Sequence, residues 1–554
     1  MSGSFSWWRF IARVLAAAGC GMVTGLPSDE PGLLDAAAEA GELRAIPVRD
    51  QRVAACAAIG YAHVSGRPAV VALNSGPSFT NALTGLLEAA SLGSPVVVVT
   101  TRIPAGRVGR GGFQYVDQRT MAGPVVKWSH TVERADQLVW TLRRAVHLAG
   151  TGRPGVTLVE IADEVLREPS AWAEPPVMRG LPELRAVAQR PDVERAAVLL
   201  REAALPVLLA GGGARRAGAG SLVTRLAELL AAPMLTTASG RGTVDERHRL
   251  ACGLAGLYAG PGVQGLLAEA DMVVSIGSRL EETATTGWSV PPRLIQLDCD
   301  PAAYLESLEP EAFLLGDAAL TLAALVEALS AGRPPDRRPR EARIAQVKSE
   351  LDALAVRHED RLATPSVIRA AVAAAGDDAI IVQENGLHDM WGYHYPILTA
   401  GANHTIVAPG EQTMVGFGLG AALGAAEAAP DRPVLLICGD GAAEMSAAAL
   451  PTIAERRRGI TVVMLDNRGF GWPRLLRGGS AAGITVFPAG THVPQMVDGL
   501  GGVSFAPATM GELKAALDAS RQANKAGRLA LITVQVPDEP LPPAALTATG
   551  GHHA

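Results

Sequence analysis

The sequence predicts an α/β fold built from three doubly wound parallel-sheet domains. Short β-rich runs alternate with helical patterns along the chain, an arrangement that places helices on both faces of a parallel sheet. Hydrophobic residues make up 48 % of the chain and aromatic residues only 4 %, as in compact enzymes. Two proline-containing stretches, residues 168–192 and 332–340, indicate linkers. We therefore expect domains at residues 1–168, 190–332 and 358–545.

Charge, cysteine content and hydropathy narrow the class of protein. The net charge of -6 is modest for 554 residues and no long basic cluster occurs, so we expect no nucleic-acid partner. The five cysteines are scattered without a CxxC pair, which favours a reducing cytoplasm and argues against a structural zinc site. No uninterrupted apolar run reaches about 20 residues, so we expect no membrane span.

The first residues, FSWWRFIARVLAAAGC, allow two interpretations. Arg13 interrupts the apolar run, and Trp8, Ile11 and Leu15 fall on one helical stripe, which predicts a surface helix packed on a sheet. The alternative is an export signal, which also combines a basic residue with an apolar run. We expect the helix.

Short β-rich runs indicate the strands of the first two domains. They lie at residues 21–25, 69–73, 96–100 and 156–161, and within residues 206–220, 270–282 and 293–301. In the second domain, Gly211-Gly212-Gly213 and Gly218 could cradle a dinucleotide phosphate. The dinucleotide fingerprint GxGxxG is not met, because Arg216 stands where the third glycine belongs.

The third domain contains the most informative stretch, VLLICGDGAAEMSAAALPTIAERRRGITVVMLDNRGFG. It predicts a strand at residues 434–438, a helix at 444–458 and a second strand at 460–465. In such a βαβ unit the strands are parallel and close together. Asp440 and Asn467 should therefore both lie at the carboxyl ends of the strands, where α/β sheets bind ligands.

These strand ends carry the donor atoms of a metal site. A carboxylate, an amide oxygen and a free backbone carbonyl suit Mg²⁺, which usually takes its other ligands from water and phosphates. The flanking glycines let the backbone approach a phosphate, and the helix beside Asp440 turns its N-terminal amides toward that charge. The alternative is two ordinary turns that share a glycine-rich loop.

Gly-Asp-Gly followed by an Asn 27 residues after the Asp resembles the signature of thiamine diphosphate enzymes, and the chain resembles their acetolactate synthase branch. The resemblance implies thiamine diphosphate and Mg²⁺ as cofactors. It assigns Asp440, Asn467 and the carbonyl of Gly469 to the metal, and it places Gly439, Gly441, Ala442 and Asn467 at the cofactor. The three domains would be the pyrimidine-binding, central and diphosphate-binding domains of this family.

Two further segments of the third domain resemble the family. Gly386-Leu387-His388 matches a Gly-Gln-His run that holds the diphosphate, with Leu387 in the place of the polar residue. Val415 falls where a bulky apolar residue bends the cofactor, and the carbonyl of Thr413 should accept a hydrogen bond from the aminopyrimidine. The alternatives are a helix-capping or core histidine at position 388 and a plain core valine at position 415.

The catalytic carboxylate departs from the family pattern. A family Glu hydrogen-bonds the pyrimidine ring nitrogen and so makes the cofactor a base, and the matching residue here is Asp50. The shorter side chain withdraws the carboxylate by about 1.5 Å, and a displacement of about 1 Å can reduce a rate about 100-fold. Three outcomes are open for the shorter side chain. The backbone lies closer to the pyrimidine, a water molecule bridges the gap, or the cofactor is activated only weakly. Otherwise Asp50 merely caps a helix.

Two loops of the first domain complete the predicted pocket. Gly76 and Asn81 match the family's Gly-Pro-Gly-x-x-Asn loop beside the pyrimidine, although Ser78 replaces a glycine. Gln114 matches a Phe-Gln pair whose amide lies over the reacting centre, where it would hydrogen-bond the substrate carboxylate or an oxyanion. The alternative for Gln114 is a surface loop amide.

The resemblance implies an enzyme that decarboxylates a 2-oxo acid and transfers the enamine to an acceptor. The alternatives are a simple 2-oxo acid decarboxylase or lyase, and a weak or silent cofactor-binding homologue, for which Asp50 is the argument. The middle domain binds FAD in true acetolactate synthases and is structural in several relatives, so FAD stays open. In this family the sites lie between subunits, so we expect a cytoplasmic homodimer or homotetramer.

Overall fold

The computed structural model describes residues 3–168, 180–288, 292–330, 338–355, 361–477 and 483–537. The predicted α/β fold is confirmed, because three six-stranded sheets are present and every paired strand in them is parallel. Residues 169–179 and 332–337 of the two predicted linkers lie outside the described residues.

The first sheet has the strand order β2-β1-β3-β4-β6-β5. Its strands are β1 Met22–Gly25, β2 Arg44–Pro47, β3 Ala69–Leu73, β4 Val96–Arg102, β5 Val126–Val132 and β6 Val156–Ala162. Its helices are α1 Gly3–Ala17, α2 Leu33–Ala40, α3 Gln51–Ser65, α4 Pro77–Ser91, α5 Gln118–Ala122, α6 Leu138–Gly150 and α7 Asp163–Arg167. The predicted first helix is present as α1, and its stripe of Trp8, Ile11 and Leu15 is buried in the core beside the sheet.

The second sheet has the order β12-β11-β10-β7-β8-β9. Its strands are β7 Pro206–Ala210, β8 Met234–Thr236, β9 Ala251–Leu254, β10 Met272–Ile276, β11 Arg293–Asp298 and β12 Ala312–Leu315. Its helices are α8 Arg190–Glu202, α9 Gly212–Arg216, α10 Gly220–Leu230, α11 Pro261–Glu269, α12 Glu282–Thr285, α13 Ala318–Ser330 and α14 Arg338–Ala355.

Helix α14 begins at Arg338, so the last three residues of the predicted linker over residues 332–340 are helical. The Arg340 guanidinium donates hydrogen bonds to the carbonyls of Ala203, Ala204 and Leu230. This one side chain satisfies three carbonyls at the ends of neighbouring segments, so the start of α14 is held on the middle domain.

The third sheet has the order β14-β13-β15-β16-β18-β17. Its strands are β13 Ile380–Gln383, β14 Thr405–Val407, β15 Val434–Gly439, β16 Ile460–Asp466, β17 Val503–Phe505 and β18 Ala530–Gln535. Its helices are α15 Thr364–Ala375, α16 Leu387–Gly392, α17 Gly418–Ala428, α18 Asp440–Met445, α19 Leu450–Glu455, α20 Gly471–Arg477, α21 Val493–Gly499 and α22 Met510–Lys525.

The prediction of one helix over residues 444–458 is wrong. Helix α18 already begins at Asp440, a 3₁₀ turn follows at Ala447–Ala449, and α19 is a separate helix. Pro451 lies at the start of α19, where its missing N–H costs no helical hydrogen bond. The segment is helical as its periodicity predicts, but it is divided into two shorter helices, with Pro451 at the start of the second.

Helices α3 and α17 lie back to back between the first and third sheets. A side-chain carbon added to Gly60 would collide with the carbonyl oxygen of Ala421, and one added to Gly424 would collide with that of Ala57. Both helices are buried over most of their length, and a single hydrophobic core extends from the first sheet to the third. The middle domain has a core of its own.

A buried ion pair joins the middle and third domains. Arg241 and Glu246 are both buried, and the guanidinium nitrogen Nε lies 2.8 Å from the carboxylate. Arg241 also donates to the carbonyl of Gly392, at the end of α16, at 2.6 Å. The charge is thus paired and hydrogen-bonded, which burial requires.

No helix within the described parts of the chain combines the length and the apolar character that crossing a membrane would require. All five cysteines are free thiols, and only Cys299 is exposed.

Candidate active site

The ends of β15 and β16 bring the predicted metal-binding residues to one place. The two strands are parallel neighbours with Gly439 opposite Leu465, so Asp440 and Asp466 leave the sheet side by side. The N–H of Gly469 donates a hydrogen bond to Oδ2 of Asp440 at 2.8 Å. Asn467 follows β16 directly, and its carbonyl accepts a hydrogen bond from Arg474 at 2.9 Å.

Gly469 has a backbone that only glycine adopts easily. Its φ is +148°, and a side-chain carbon there would collide with the carbonyl oxygen of Thr485. The turn is pinned on both sides, because Phe470 donates its N–H to Thr485 at 2.9 Å and Phe487 donates to the carbonyl of Arg468 at 2.8 Å. The position of the Gly469 amide, and hence of the Asp440 carboxylate, is therefore fixed.

The Asp440 carboxyl is buried without a compensating positive charge. Only 1 % of the residue is exposed. Burial, together with the neighbouring Asp466, raises the pKa of Asp440 to about 7, although the N–H groups of Gly469 and Gly441 oppose this shift. Within the described residues, Asp440 accepts the N–H of Gly469, and Asp466 accepts the N–H of Arg468 and the amide of Gln535, so the donors at both carboxylates are uncharged. A bound divalent cation would supply the missing charge, so these residues fit Mg²⁺.

In the part of the chain that the structure describes, no cluster of three or more His, Cys, Asp or Glu side chains gathers around a common point. The predicted donor set is of a different kind, since it combines one carboxylate with an amide oxygen and a backbone carbonyl. Such a set leaves room for the phosphate and water oxygens with which Mg²⁺ completes its octahedron.

His388 lies against the start of the Gly-Asp-Gly turn. An added side-chain carbon on Gly439 would be 3.5 Å from His388 Nδ1. Burial lowers the pKa of His388 to about 4, and the backbone carbonyls of Glu384 and Ile437 only partly oppose this. Its Nε2 atom is buried and has no hydrogen-bond partner among the residues that the structure describes. A neutral imidazole with an unused nitrogen at this point fits a polar ligand such as a diphosphate.

The other two residues of the Gly-Leu-His run have structural contacts. An added side-chain carbon on Gly386 would be 2.9 Å from the His388 ring, so the ring needs the glycine. Leu387 packs in a small apolar cluster with Met390 and Trp472. Leu387 offers no polar contact, so the phosphate contact that the family's Gln would supply has no side-chain equivalent at this position.

The segment around Val415 is held by backbone hydrogen bonds. The Glu384 carboxylate accepts N–H groups from Asn385 at 2.9 Å, from Gly416 at 3.1 Å and from Gly418 at 2.6 Å. Thr413 has a φ of +46°, and its carbonyl accepts a hydrogen bond from the Asn385 amide at 2.5 Å. The predicted bond from the aminopyrimidine to Thr413 would therefore share this oxygen with Asn385.

Glu384 and Asn385 were missed as functional candidates. The sequence did contain a signal, since a carboxylate and an amide directly follow the apolar strand β13 at its carboxyl end. Burial raises the pKa of Glu384 to about 7, and the N–H groups that it accepts act in the opposite direction. Val415 itself is half-buried beside this network.

Asp50 caps helix α3. Its Oδ1 accepts the N–H of Arg52 at 2.7 Å, and both of its oxygens lie 3.3 Å from the Arg52 guanidinium. Burial alone would raise the pKa of Asp50, but the hydrogen bonds from Arg52 outweigh it and the pKa is lowered. The capping role foreseen as an alternative is therefore present, and it leaves the carboxylate ionised.

The loops around Asp50 form one network. The Asn81 amide donates to Gln51 at 2.7 Å, and Gln51 donates to Ser78 at 3.4 Å. Gly76, with a φ of +70°, approaches the Gln114 backbone so closely that an added carbon would lie 2.6 Å from its carbonyl oxygen.

Gln114 lies on an exposed loop. Its φ of +56° is left-handed, and the adjacent Phe113 is 85 % exposed. The structure thus brings Gln114 to the same edge of the first sheet as Gly76 and Asp50, with its side chain facing solvent.

Within one chain, the loop before Asp50 contacts the third domain at α19, in addition to the packing of α3 on α17. Arg49 forms an ion pair with Glu455 and donates to the Thr452 hydroxyl at 3.1 Å. Thr452 in turn donates to the carbonyl of Pro47 at 3.2 Å. The loop that leads into Asp50 therefore contacts the helix beyond the Gly-Asp-Gly turn, and the Asp50 carboxylate itself is engaged by Arg52.

A cavity of about 770 Å³ lies where the three domains meet. Gly212, Gly213 and Gly277 line it, together with the guanidinium groups of Arg153, Arg216 and Arg279. Arg216, at the place of the missing third glycine, donates to the carbonyl of Leu92 at 2.9 Å. Burial and then the charge of Arg279 lower the pKa of Arg153. Carboxylates such as Asp298 and Glu281 line the same cavity, and Glu281 forms an ion pair with Arg279. Arg153 and Arg216 beside the glycine turns are the groups that fit a diphosphate.

Family models match all three parts of the chain. Residues 7–121 match the thiamine pyrophosphate enzyme N-terminal TPP binding domain, where TPP and thiamine diphosphate are the same compound. Residues 193–325 match the central domain of these enzymes, and residues 384–534 match their C-terminal TPP binding domain.

Several acetolactate synthases are similar over most of their length. The large subunit from Corynebacterium glutamicum is 30 % identical over 537 residues, which cover 93 % of this chain and 84 % of that protein. Isozyme 1 large subunit from Escherichia coli is 29 % identical and covers 84 % of this chain and 82 % of its own length. The enzyme from Arthrospira platensis is 31 % identical, with coverages of 80 % and 77 %.

The raised pKa of Asp440 predicts how the cofactor-free protein responds to pH. Because the folded pKa lies above the unfolded one, the folded state loses stability relative to the unfolded state as pH rises from about 4 to about 7. Asp440→Asn removes this loss. We expect the variant to gain about 2–4 kcal/mol over the wild type between pH 5 and pH 8, measured by urea unfolding without metal.

Asp431→Asn is the matched control, because Asp431 is an exposed aspartate of the same domain. Its difference from the wild type should not change between these two pH values. A stability gain for Asp440→Asn that is equal at both pH values would show that Asp440 is not destabilised by its own charge.

Proposed function

Because the chain belongs to the thiamine pyrophosphate enzyme family and is acetolactate synthase-like, we propose that it decarboxylates a 2-oxo acid and transfers the remaining fragment to an acceptor, with Mg²⁺ and thiamine diphosphate as cofactors. The observation that carries the proposal is the buried, uncompensated Asp440 carboxylate fixed by Gly469, with the neutral His388 ring beside the same turn. Bound thiamine diphosphate would supply a carbanion that attacks the 2-oxo group.

Asp440, Asn467 and the carbonyl of Gly469 would hold Mg²⁺, and the ion would hold the diphosphate. Gly439, Gly441 and Ala442 border the same turn and allow a close approach, since Gly441 has room for no side chain beside Phe470. His388 would complete the diphosphate contacts. Val415 and Thr413 would position the ring portion, and Glu384 keeps their backbone rigid.

Gln114 would act on the substrate. Its exposed amide could donate a hydrogen bond to the substrate carboxylate or to a developing oxyanion, and a preorganised donor of this kind is worth several kcal/mol when water is excluded. The exposed Phe113 beside it supports this role, because a large apolar side chain on a loop edge is suited to cover a site.

We further propose that two subunits form each site. The Asp50 loop of one chain meets its own third domain at α19, so the pyrimidine-side residues of a second chain would complete the Gly-Asp-Gly side. The smallest competent unit would be a homodimer, and a homotetramer is also compatible. A mass in solution equal to one chain, with full activity, would contradict this. The free cysteines support a reducing, cytoplasmic location.

The contacts of Asp50 favour a second candidate function: the protein binds the cofactor but has weak or no catalytic activity. The carboxylate is bound to Arg52 and its pKa is lowered, whereas activation of the pyrimidine needs a carboxyl that shares a proton with the ring nitrogen. Direct contact or a bridging water would still allow turnover. The two candidates differ in whether carbon dioxide is released from a 2-oxo acid once the cofactor is bound.

The cavity between the domains supports a second cofactor, a dinucleotide such as FAD. Arg153 and Arg216 would pair with the diphosphate, since Arg279 already forms an ion pair with Glu281, and Gly212 and Gly277 would let the backbone approach it. We expect a yellow purified protein that releases FAD on denaturation, detected by chromatography and mass spectrometry. A colourless protein with no releasable nucleotide would contradict this proposal and leave the thiamine diphosphate proposal unaffected.

The primary test is turnover of a panel of 2-oxo acids with Mg²⁺ and thiamine diphosphate, with carbon dioxide and products measured by mass. Coupled products are expected. An aldehyde as the sole product would instead indicate a simple decarboxylase or lyase, and no carbon dioxide despite bound cofactor would indicate a silent homologue.

Calorimetry separates binding from turnover in the same experiment. Asp440→Ala should weaken uptake of thiamine diphosphate in the presence of Mg²⁺ at least about 10-fold, because the metal loses its only charged protein ligand. Asp431→Ala, on the exposed surface of the same domain, should bind like the wild type. Equal uptake by both variants would exclude Asp440 as a metal ligand.

Lengthening Asp50 tests its role. Asp50→Glu should raise the rate of C2 proton exchange in bound thiamine diphosphate at least about 10-fold, because the carboxylate gains about 1.5 Å of reach. The exchange is measured by NMR after acid quenching. Asp50→Ala should slow the exchange.

Asp117→Glu is the matched control, since Asp117 caps α5 through the N–H of Thr120 as Asp50 caps α3. It should leave the exchange rate unchanged. If Asp50→Ala exchanged as fast as the wild type, Asp50 would be a helix cap and nothing more.

A further inference from the structure

Glu88 is a fully buried carboxylate on helix α4 of the first domain, and it is not used by the chemistry described above. Its neighbours along the helix, Leu86 and Ala89, are core residues. A charged group in such a position must find partners or destabilise the fold. Its partners are not in its own domain.

Both oxygens of Glu88 bind the third domain. Oε1 accepts the N–H of Gly410 at 2.6 Å, and Oε2 accepts the N–H of Met414 at 2.8 Å. Burial raises the pKa of Glu88, and these two N–H groups oppose that shift. One carboxylate thus spans both ends of the segment 410–414, which contains Thr413 and leads into Val415.

The same segment is held from the other side by its own domain. Glu384 accepts the N–H groups of Gly416 and Gly418, and the Asn385 amide donates to the carbonyl of Thr413. The left-handed φ of Thr413, +46°, is unfavourable for a threonine and needs such support. Without Glu88, the N–H groups at both ends of the segment, those of Gly410 and Met414, would lose their side-chain acceptor.

We propose that Glu88 is a positioning residue for the cofactor, because from the first domain it fixes the backbone of residues 410–414. It thereby sets the positions of the Thr413 carbonyl and of the Val415 side chain. This inference rests on the proposed function. It assigns the first domain a second role, because that domain would shape the diphosphate-binding side of its own chain in addition to supplying Asp50.

Glu88→Gln in the full-length protein tests the inference. The amide keeps the size of the side chain but has one acceptor oxygen for two N–H donors, and its own N–H₂ faces the second. We expect faster hydrogen exchange in residues 410–414 of the cofactor-free protein. With Mg²⁺ and thiamine diphosphate we expect kcat at least about 10-fold lower and KM for the 2-oxo acid changed less than about 2-fold.

Glu427→Gln is the matched control. Glu427 is another fully buried carboxylate, on helix α17, but its partners are Arg44, Arg456 and Arg458 and not the segment 410–414. It should lower the free energy of unfolding without changing the exchange of that segment or the near-ultraviolet circular dichroism of the bound cofactor. Glu88→Gln should change both signals.

Two results would overturn the inference. One is exchange at residues 410–414 and cofactor dichroism in Glu88→Gln within about 2-fold of the wild type. The other is the same change in both signals in Glu427→Gln, which would mean that any loss of stability produces them. If the wild type binds no thiamine diphosphate, the proposed function fails, whereas the exchange measurement on the cofactor-free protein still decides whether Glu88 fixes the segment.

Discussion

The contact between α3 and α17 sets the geometry of the rest of the molecule. Two helices can cross with their backbones this close only if small residues face each other, and Gly60 and Gly424 lie directly against carbonyl oxygens of the opposite helix. The first residue before α3 is Asp50, and α17 starts three residues after Val415. The contact between α3 and α17 therefore determines the positions of the loop that ends at Asp50 and of the segment that contains Val415.

The buried carboxylates differ in their hydrogen-bond and ion-pair partners. This difference distinguishes the carboxylates that stabilise the fold from the one that is suited to bind a ligand. Glu88 and Glu384 accept hydrogen bonds from backbone N–H groups, and Glu427 forms ion pairs with three arginines. Asp440 has backbone N–H partners but also a second buried aspartate beside it, so its charge is left without compensation. A protein tolerates such a group where a ligand supplies the missing charge.

Sequence patterns predicted the sheets and the strand ends well, because both follow from local periodicity. The runs at 434–438 and 460–465 are strands, and Asp440 and Asn467 directly follow the carboxyl ends of these two parallel neighbours. The broken helix at Pro451 and the backbone contacts of Glu384 were missed, since they depend on tertiary packing. Metal ligation, the role of Gln114 and the subunit arrangement remain predictions, because they involve molecules outside the chain.

The shared core of the first and third sheets has a consequence for unfolding. Those two domains share one continuous apolar interior. The middle domain has a second core, which includes Tyr395 of the third domain, and the Arg241 guanidinium adds a hydrogen bond to Gly392 across the same boundary. Cooperativity follows continuity of packing, so the first and third domains should unfold as one calorimetric unit although the middle domain separates them in the sequence. The two domains that are expected to unfold together are thus not neighbours in the sequence.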